Sequence, residues 1–128
     1  MFNRHPYTEL ADPARPGVAD PVATVADDNF ETFISGNYTV VDFFAPWCGP
    51  CRQLAPTFDR AAVEHADRLR FARCDIDQNP RTAARLNIMS IPTLVLFDPS
   101  GREIDRLVGA PGARRLETFI SQAAPDAA

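Results

Sequence analysis

Cys48 and Cys51 stand three positions apart within Trp47-Cys48-Gly49-Pro50-Cys51. Thiols at that spacing can close a small disulfide ring, so the pair can take up and release two electrons. The residues ahead of them, Thr39-Val40-Val41-Asp42-Phe43-Phe44, have the β-branched and aromatic character of a strand. Those behind, Arg52-Gln53-Leu54-Ala55-Pro56-Thr57-Phe58, are helix-like. A dithiol at such a junction meets the unpaired N–H groups and partial positive charge of a helix N-terminus. That setting stabilises a thiolate, the form of cysteine that attacks disulfides. Cys48, at the helix start, is expected to be exposed and the readier to ionise; Cys51, one turn deeper, should be less accessible. Gly49 and Pro50 shape the turn between them, and Pro50 brings neither an N–H nor a positive charge. Thiolate stabilisation should therefore be moderate, which favours a reducing dithiol over a strongly oxidising one.

Asp42 interrupts the apolar run Val40-Val41-Asp42-Phe43-Phe44. On a central strand covered on both faces an ionised carboxylate is costly, so its pKa should rise by desolvation. Alternation places it on the face of Val40 and Phe44, directed toward the far end of the dithiol turn. There it could exchange the proton of the second thiol, Cys51. The plainer alternative is a partly exposed aspartate on an edge strand. Ile91-Pro92-Thr93 opens a further apolar strand. A trans proline there would be a simple strand start, whereas a cis bond would turn the Ile91 backbone toward the dithiol, free to pair with a bound peptide. The residues leave both open.

The elements that must position these groups follow from the same patterns. A short strand is expected at Pro21–Val25, then a helix starting at Ala26–Phe30 with an aspartate able to cap it. A strand over Tyr38–Phe44 leads into a long helix from Cys48 to about His65, burying Leu54, Phe58, Ala61, Ala62 and Val63. Leu69–Ile76 reads as a strand, and Pro80–Leu86 as a short helix with proline in its first turn. Thr93–Phe97 and Glu103–Val108, joined by the turn Asp98-Pro99-Ser100-Gly101, should form an antiparallel hairpin. A last helix covers about Ala113–Ala123. Helices alternating with strands, followed by a hairpin and a helix, predict an α/β chain: a mixed sheet with helices on both faces. Residues 1–20, with Pro6, Pro13, Pro16 and Gly17, read as an irregular extension; residues 21–124 are the expected domain and 125–128 a tail.

At 128 residues, 45% hydrophobic and 23% charged, the chain suits one globular domain. A net charge of −4 argues against nucleic-acid binding, and no apolar stretch is long enough to span a bilayer. The polar start holds no apolar signal segment, so a cytoplasmic location is expected. Three cysteines make no disulfide scaffold; in a reducing compartment a CxxC pair is catalytic or metal-binding. A zinc site would need about four ligands, and only Cys48, Cys51, Cys74, His5 and His65 are at hand without carboxylates. His65 falls near the end of the long helix as a surface residue, and no metal is expected.

Taken together, Val41-Asp42-Phe43, Ala45-Pro46-Trp47-Cys48-Gly49-Pro50-Cys51-Arg52, Ala55-Pro56, Asp75-Ile76-Asp77-Gln78-Asn79-Pro80, Ser90-Ile91-Pro92-Thr93-Leu94 and Val108-Gly109-Ala110 resemble the thioredoxin family. The matches run in order over about residues 22–123. The resemblance implies a five-stranded sheet in the order 1-3-2-4-5 flanked by four helices, with Pro92 cis. It implies Cys48 as attacking thiol, Cys51 as resolving thiol and Asp42 as buried acid/base, with Trp47, Gly49, Pro50, Ile91, Pro92 and Gly109 lining a substrate groove. It further implies a monomeric protein-disulfide reductase serving cell redox homeostasis and electron transport. No cofactor would be bound beyond the redox-active Cys48–Cys51 disulfide, electrons coming from NADPH through a thioredoxin reductase.

Three departures stand out. Phe44 replaces a common tryptophan, and Met89-Ser90 precede the key proline without a cation. Arg73 stands where a lysine often faces the buried acid. Being always charged, it either holds the Asp42 pKa lower or extends outward. Cys74 points away from Arg73 into apolar packing as a core thiol, with a regulatory role as the alternative. The extension has no cysteine, so the zinc module of some family members is absent. Two rival functions share the fold: an oxidase or isomerase, and a binding or chaperone subunit that would not need both cysteines.

Overall fold

The computed structural model describes residues 20–123; the expected irregular extension, Asp20 apart, and the tail lie outside the described residues. Five strands form one mixed sheet in the order β1-β3-β2-β4-β5. They are β1 (Val22–Thr24), β2 (Thr39–Phe44), β3 (Arg70–Asp75), β4 (Thr93–Phe97) and β5 (Glu103–Val108). The helices are α1 (Phe30–Phe33), α2 (Gly49–Glu64), α3 (Pro80–Arg85) and α4 (Ala113–Ile120), the last continued by a 3-10 turn over Ser121–Ala123. β2 lies at the centre, parallel to β3 and antiparallel to β4, and all six of its residues are buried. β-branched and aromatic side chains fit a strand covered on both faces.

Alternation along β2 sorts the core into two layers. Val40, with Phe71, Leu94 and Leu96, packs under Leu54, Phe58, Ala61 and Ala62 of α2 and Leu116, Phe119 and Ile120 of α4. Val41 and Phe43 pack on the other side with Phe30, Ile34, Cys74, Val95 and Phe97. β4 and β5 make the expected antiparallel hairpin.

Two details differ from the sequence expectation. Val63 is 65% exposed; one residue past Ala62 turns the side chain about 100° off the buried stripe. No aspartate caps α1: its N-cap is Asn29, whose Oδ1 accepts from the Ala26 N–H at 2.7 Å. Asp27 instead reaches across to the first turn of α3, accepting from the Thr82 N–H at 2.8 Å and hydroxyl at 2.7 Å, and from the Arg81 N–H at 3.3 Å. Asn79 returns the tie, its Oδ1 accepting from the Asp27 N–H at 2.9 Å.

Candidate active site

The site is built at the point where β2 hands the chain to α2. Cys48 is the N-cap of α2, with extended backbone angles (φ −84°, ψ 115°), and its Sγ accepts from the Cys51 N–H at 3.2 Å. One of the N–H groups that a helix start leaves without a partner thus points at sulfur, and the helix dipole adds to its field. Pro50, in the first turn, has no N–H and so adds no orphan donor of its own. Cys48 and Cys51 are joined by a disulfide, their Cα atoms 5.2 Å apart, within the usual span of such a bond. In this oxidised form Cys48 is only 5% exposed and Cys51 fully buried, so the expected order of accessibility holds but Cys48 is less open than its place suggested. The cause is packing: both sulfurs sit in a small apolar cluster with Phe44 and Ala45, and Ile91 covers it.

The Ile91–Pro92 bond is cis, which resolves the choice the sequence left open. The Ile91 carbonyl oxygen lies 3.9 Å from Cys48 Sγ. Pro92 itself is buried, and its carbonyl accepts from the Gly109 N–H at 2.8 Å. Gly109 has φ +104°, a region that disfavours any residue with a Cβ, so glycine is what lets β5 end against the proline. Around this centre Trp47 is 67% exposed, Met89 82% and Val108 56%. Pro50 is exposed too, with Gly49, Ile91 and Gly109 half-buried. The result is an apolar rim. Met89 and Val108 were not foreseen as part of it, since exposed apolar residues carry no sequence signal of their own.

Two polar contacts fix the turn. The Trp47 Nε1–H donates to Asp77 Oδ2 at 2.7 Å, and Arg52 Nη1 donates to the Pro46 carbonyl at 2.9 Å. Asp77 belongs to the β3–α3 connection, where its own N–H donates to Asp75 Oδ1 at 2.9 Å. Its part in holding the indole was not legible, because thirty residues separate the partners.

Asp42 is fully buried, and among the described residues neither carboxylate oxygen has a hydrogen-bond partner. It is no edge-strand residue: it pairs with Arg73 of β3 on one side and Leu94 of β4 on the other. Val40 before it belongs to the large core under α2, and Phe44 after it to the cysteine cluster, so Asp42 lies on the face between them. Burial pushes its carboxyl up to about 7; the Arg73 charge pulls the other way and the Asp59 charge adds to the rise. Arg73 does not extend outward. It is 3% exposed and its Nη2 donates to Asp59 Oδ1 of α2 at 2.6 Å.

Cys74 is a free, fully buried thiol on the opposite face of the sheet. Burial first, then the charges of Asp27 and Asp75, push it up to about 12. His65 is less of a surface residue than expected: it caps the end of α2 with its side chain 18% exposed, and Nε2 lies 2.9 Å from Glu117 of α4. Ligand atoms of Glu64, His65 and Glu117 come within 4.8 Å of one another, but Arg68 Nη2 stands 3.1 Å from His65 Nδ1. A donor on Nδ1 puts the ring proton on Nε2, which suits donation to Glu117 and opposes metal binding there. His5 lies outside the described residues. No helix among the described residues is long and apolar enough to cross a membrane.

The thioredoxin family model matches residues 21–122. A thioredoxin of Alicyclobacillus acidocaldarius is 45% identical over 99 residues, which cover 77% of this chain and 93% of that one. A thioredoxin of Mycobacterium tuberculosis is 41% identical over 104 residues, covering 80% and 89%. Among solved structures, a Malassezia sympodialis thioredoxin superposes with a TM-score of 0.74 at 32% identity, over 80% of this chain and 90% of that one.

Proposed function

The chain belongs to the thioredoxin family, a family of disulfide oxidoreductases, and we propose that it works as a reductase of protein disulfides with Cys48 attacking and Cys51 resolving. The reading is carried by one observation, the Cys48 sulfur at the helix cap accepting the Cys51 N–H. In the reduced protein the same N–H and dipole favour the Cys48 thiolate. That thiolate attacks one sulfur of a client disulfide; the client S–S bond breaks and its other sulfur leaves as a thiolate that takes a proton. Cys51 then gives its proton to the Asp42 carboxylate and attacks Cys48. The mixed disulfide breaks, the second client sulfur leaves reduced, and the Cys48–Cys51 bond forms. Two electrons have passed to the client.

Asp42 suits the proton step because a carboxyl held near neutrality can take a proton and give it up at physiological pH. The cis bond turns the Ile91 backbone to the sulfur, where an extended client segment could pair with it, and Trp47, Gly49, Pro50, Pro92 and Gly109 form the groove around that contact. Recharging falls to an NADPH-dependent thioredoxin reductase, and the protein acts as a cytoplasmic monomer in electron transport to client proteins.

The test is trapping. The variant C51S should hold clients on Cys48 as mixed disulfides that a reductant releases, while C48S holds none and neither variant reduces insulin disulfides. Clients captured equally through Cys51 in C48S would reverse the assignment.

A further inference from the structure

Asp59 stands eight residues past Cys51 on α2, and no family motif in the sequence drew attention to it. Its carboxylate accepts from Arg73 Nη2 at 2.6 Å, and with its side chain 22% exposed it is the member of the Asp42–Arg73–Asp59 set that reaches solvent. Arg73 lies opposite Asp42 in the β2–β3 register, yet no hydrogen bond joins them: among the described residues neither Asp42 oxygen has a partner, while the guanidinium donates to Asp59. A guanidinium is charged at any working pH and is a rigid fork, so the carboxylate that engages it decides where its field falls.

We propose that Asp59 is a positioning residue: by holding the Arg73 guanidinium on α2 it draws that charge away from the buried Asp42 carboxyl. The consequence for turnover rests on the reading of Asp42 as the acceptor of the Cys51 proton. Other groups facing Asp42 do not offer the same control. β4 brings Leu94, α4 brings Leu116, Phe119 and Ile120 to that face, and α2 brings Cys51, which is bonded to Cys48 here. Of the charges that bear on Asp42, Arg73 lies on β3 and Asp59 on α2, while Asp20, ahead of β1, acts on Asp59.

The experiment follows the Asp42 carboxyl directly by carbon NMR across pH in the full chain. The set is wild type, D59N, D59E, R73M and the double variant D59N/R73M. In D59N the Asp42 midpoint should fall by about one pH unit, the scale of an opposite charge released nearby. D59E, which can still engage the fork, should titrate near wild type. R73M should titrate above wild type, and D59N/R73M should lie below R73M by clearly less than D59N lies below wild type, because Asp59 acts mainly through the arginine and only in part by its own charge. D59S gives the same comparison should D59N not fold. An unmoved Asp42 midpoint in a folded Asp59 variant overturns the proposal. So does a fall from R73M to D59N/R73M as large as that from wild type to D59N, since Asp59 would then act by its own charge. The pH midpoint of client release, measured beside it, separates the two layers: if Asp42 moves and release does not, the coupling stands and the proton-acceptor reading falls.

Discussion

Asp42 is the residue whose chemistry is most at odds with its surroundings, and that conflict is measurable as stability. Burial lifts its carboxyl from the ordinary 3.8 to about 7, so between those pH values the native protein holds a proton that the unfolded chain has released. Stability is therefore fully present below about 4 and drains away as pH rises to about 7. At about 1.4 kcal/mol per pH unit, the loss is at most about 4 kcal/mol. D42N cannot ionise, so it should resist denaturant better than wild type at pH 8, with the gain vanishing near pH 4. Denaturation midpoints at the two pH values check this, and a gain independent of pH would show that desolvation is not what the site stores. The desolvation was legible in the sequence, because a lone aspartate in a six-residue apolar strand has few other fates. Of its answering groups Arg73 was foreseen facing it, but the Asp59 contact was not, because it depends on how α2 lies across the sheet.

At the scale of elements, the helices are tied to one another by long-range caps that no local pattern announces. An aspartate of the Asp27-Asp28 pair was expected to cap α1, and Asp27 does not do so. It instead serves α3, more than fifty residues on, where the Thr82 and Arg81 N–H groups are the orphan donors of a first turn. Burial raises the Asp27 pKa, but the Thr82 hydroxyl and these N–H groups outweigh it and leave the carboxyl below its usual range. The sign is then opposite to that of Asp42: its support is present above about pH 3.8 and is lost as pH falls through the lowered value. D27A should lower the denaturation midpoint at pH 7, and the gap from wild type should narrow below about pH 4. An equal gap at both pH values would mean that packing rather than charge holds the α1–α3 connection. Strand boundaries, in contrast, were legible to within a residue, since β2 and β4 are apolar runs bounded by turn residues.

Across the whole molecule, the sheet separates two thiol chemistries that share one chain. Cys48 and Cys51 lie past the end of β2, at the start of α2 and beside the cis-proline, where the helix start supplies donors. Cys74 lies on the opposite face among Phe43, Val95 and Phe97, where burial holds its proton on. Alternation along β3 predicts that division, and the spacing Trp-Cys-Gly-Pro-Cys predicts the site. The rim was only partly legible. Trp47 stood out as part of the motif, but Met89, ahead of β4, and Val108, the last residue of β5, are brought to the site by β4–β5 pairing and the Gly109–Pro92 contact. Disulfide exchange at this site depends throughout on a sulfur that ionises early because it caps α2. Its most direct measurement is the alkylation rate of each cysteine in the reduced protein as a function of pH, read by mass spectrometry. Cys48 should react fastest, with a midpoint below the about 8.5 of a free cysteine, and Cys74 should stay unmodified while the protein is folded. A Cys48 that ionises like a free cysteine, and reacts no faster than Cys51, would contradict it.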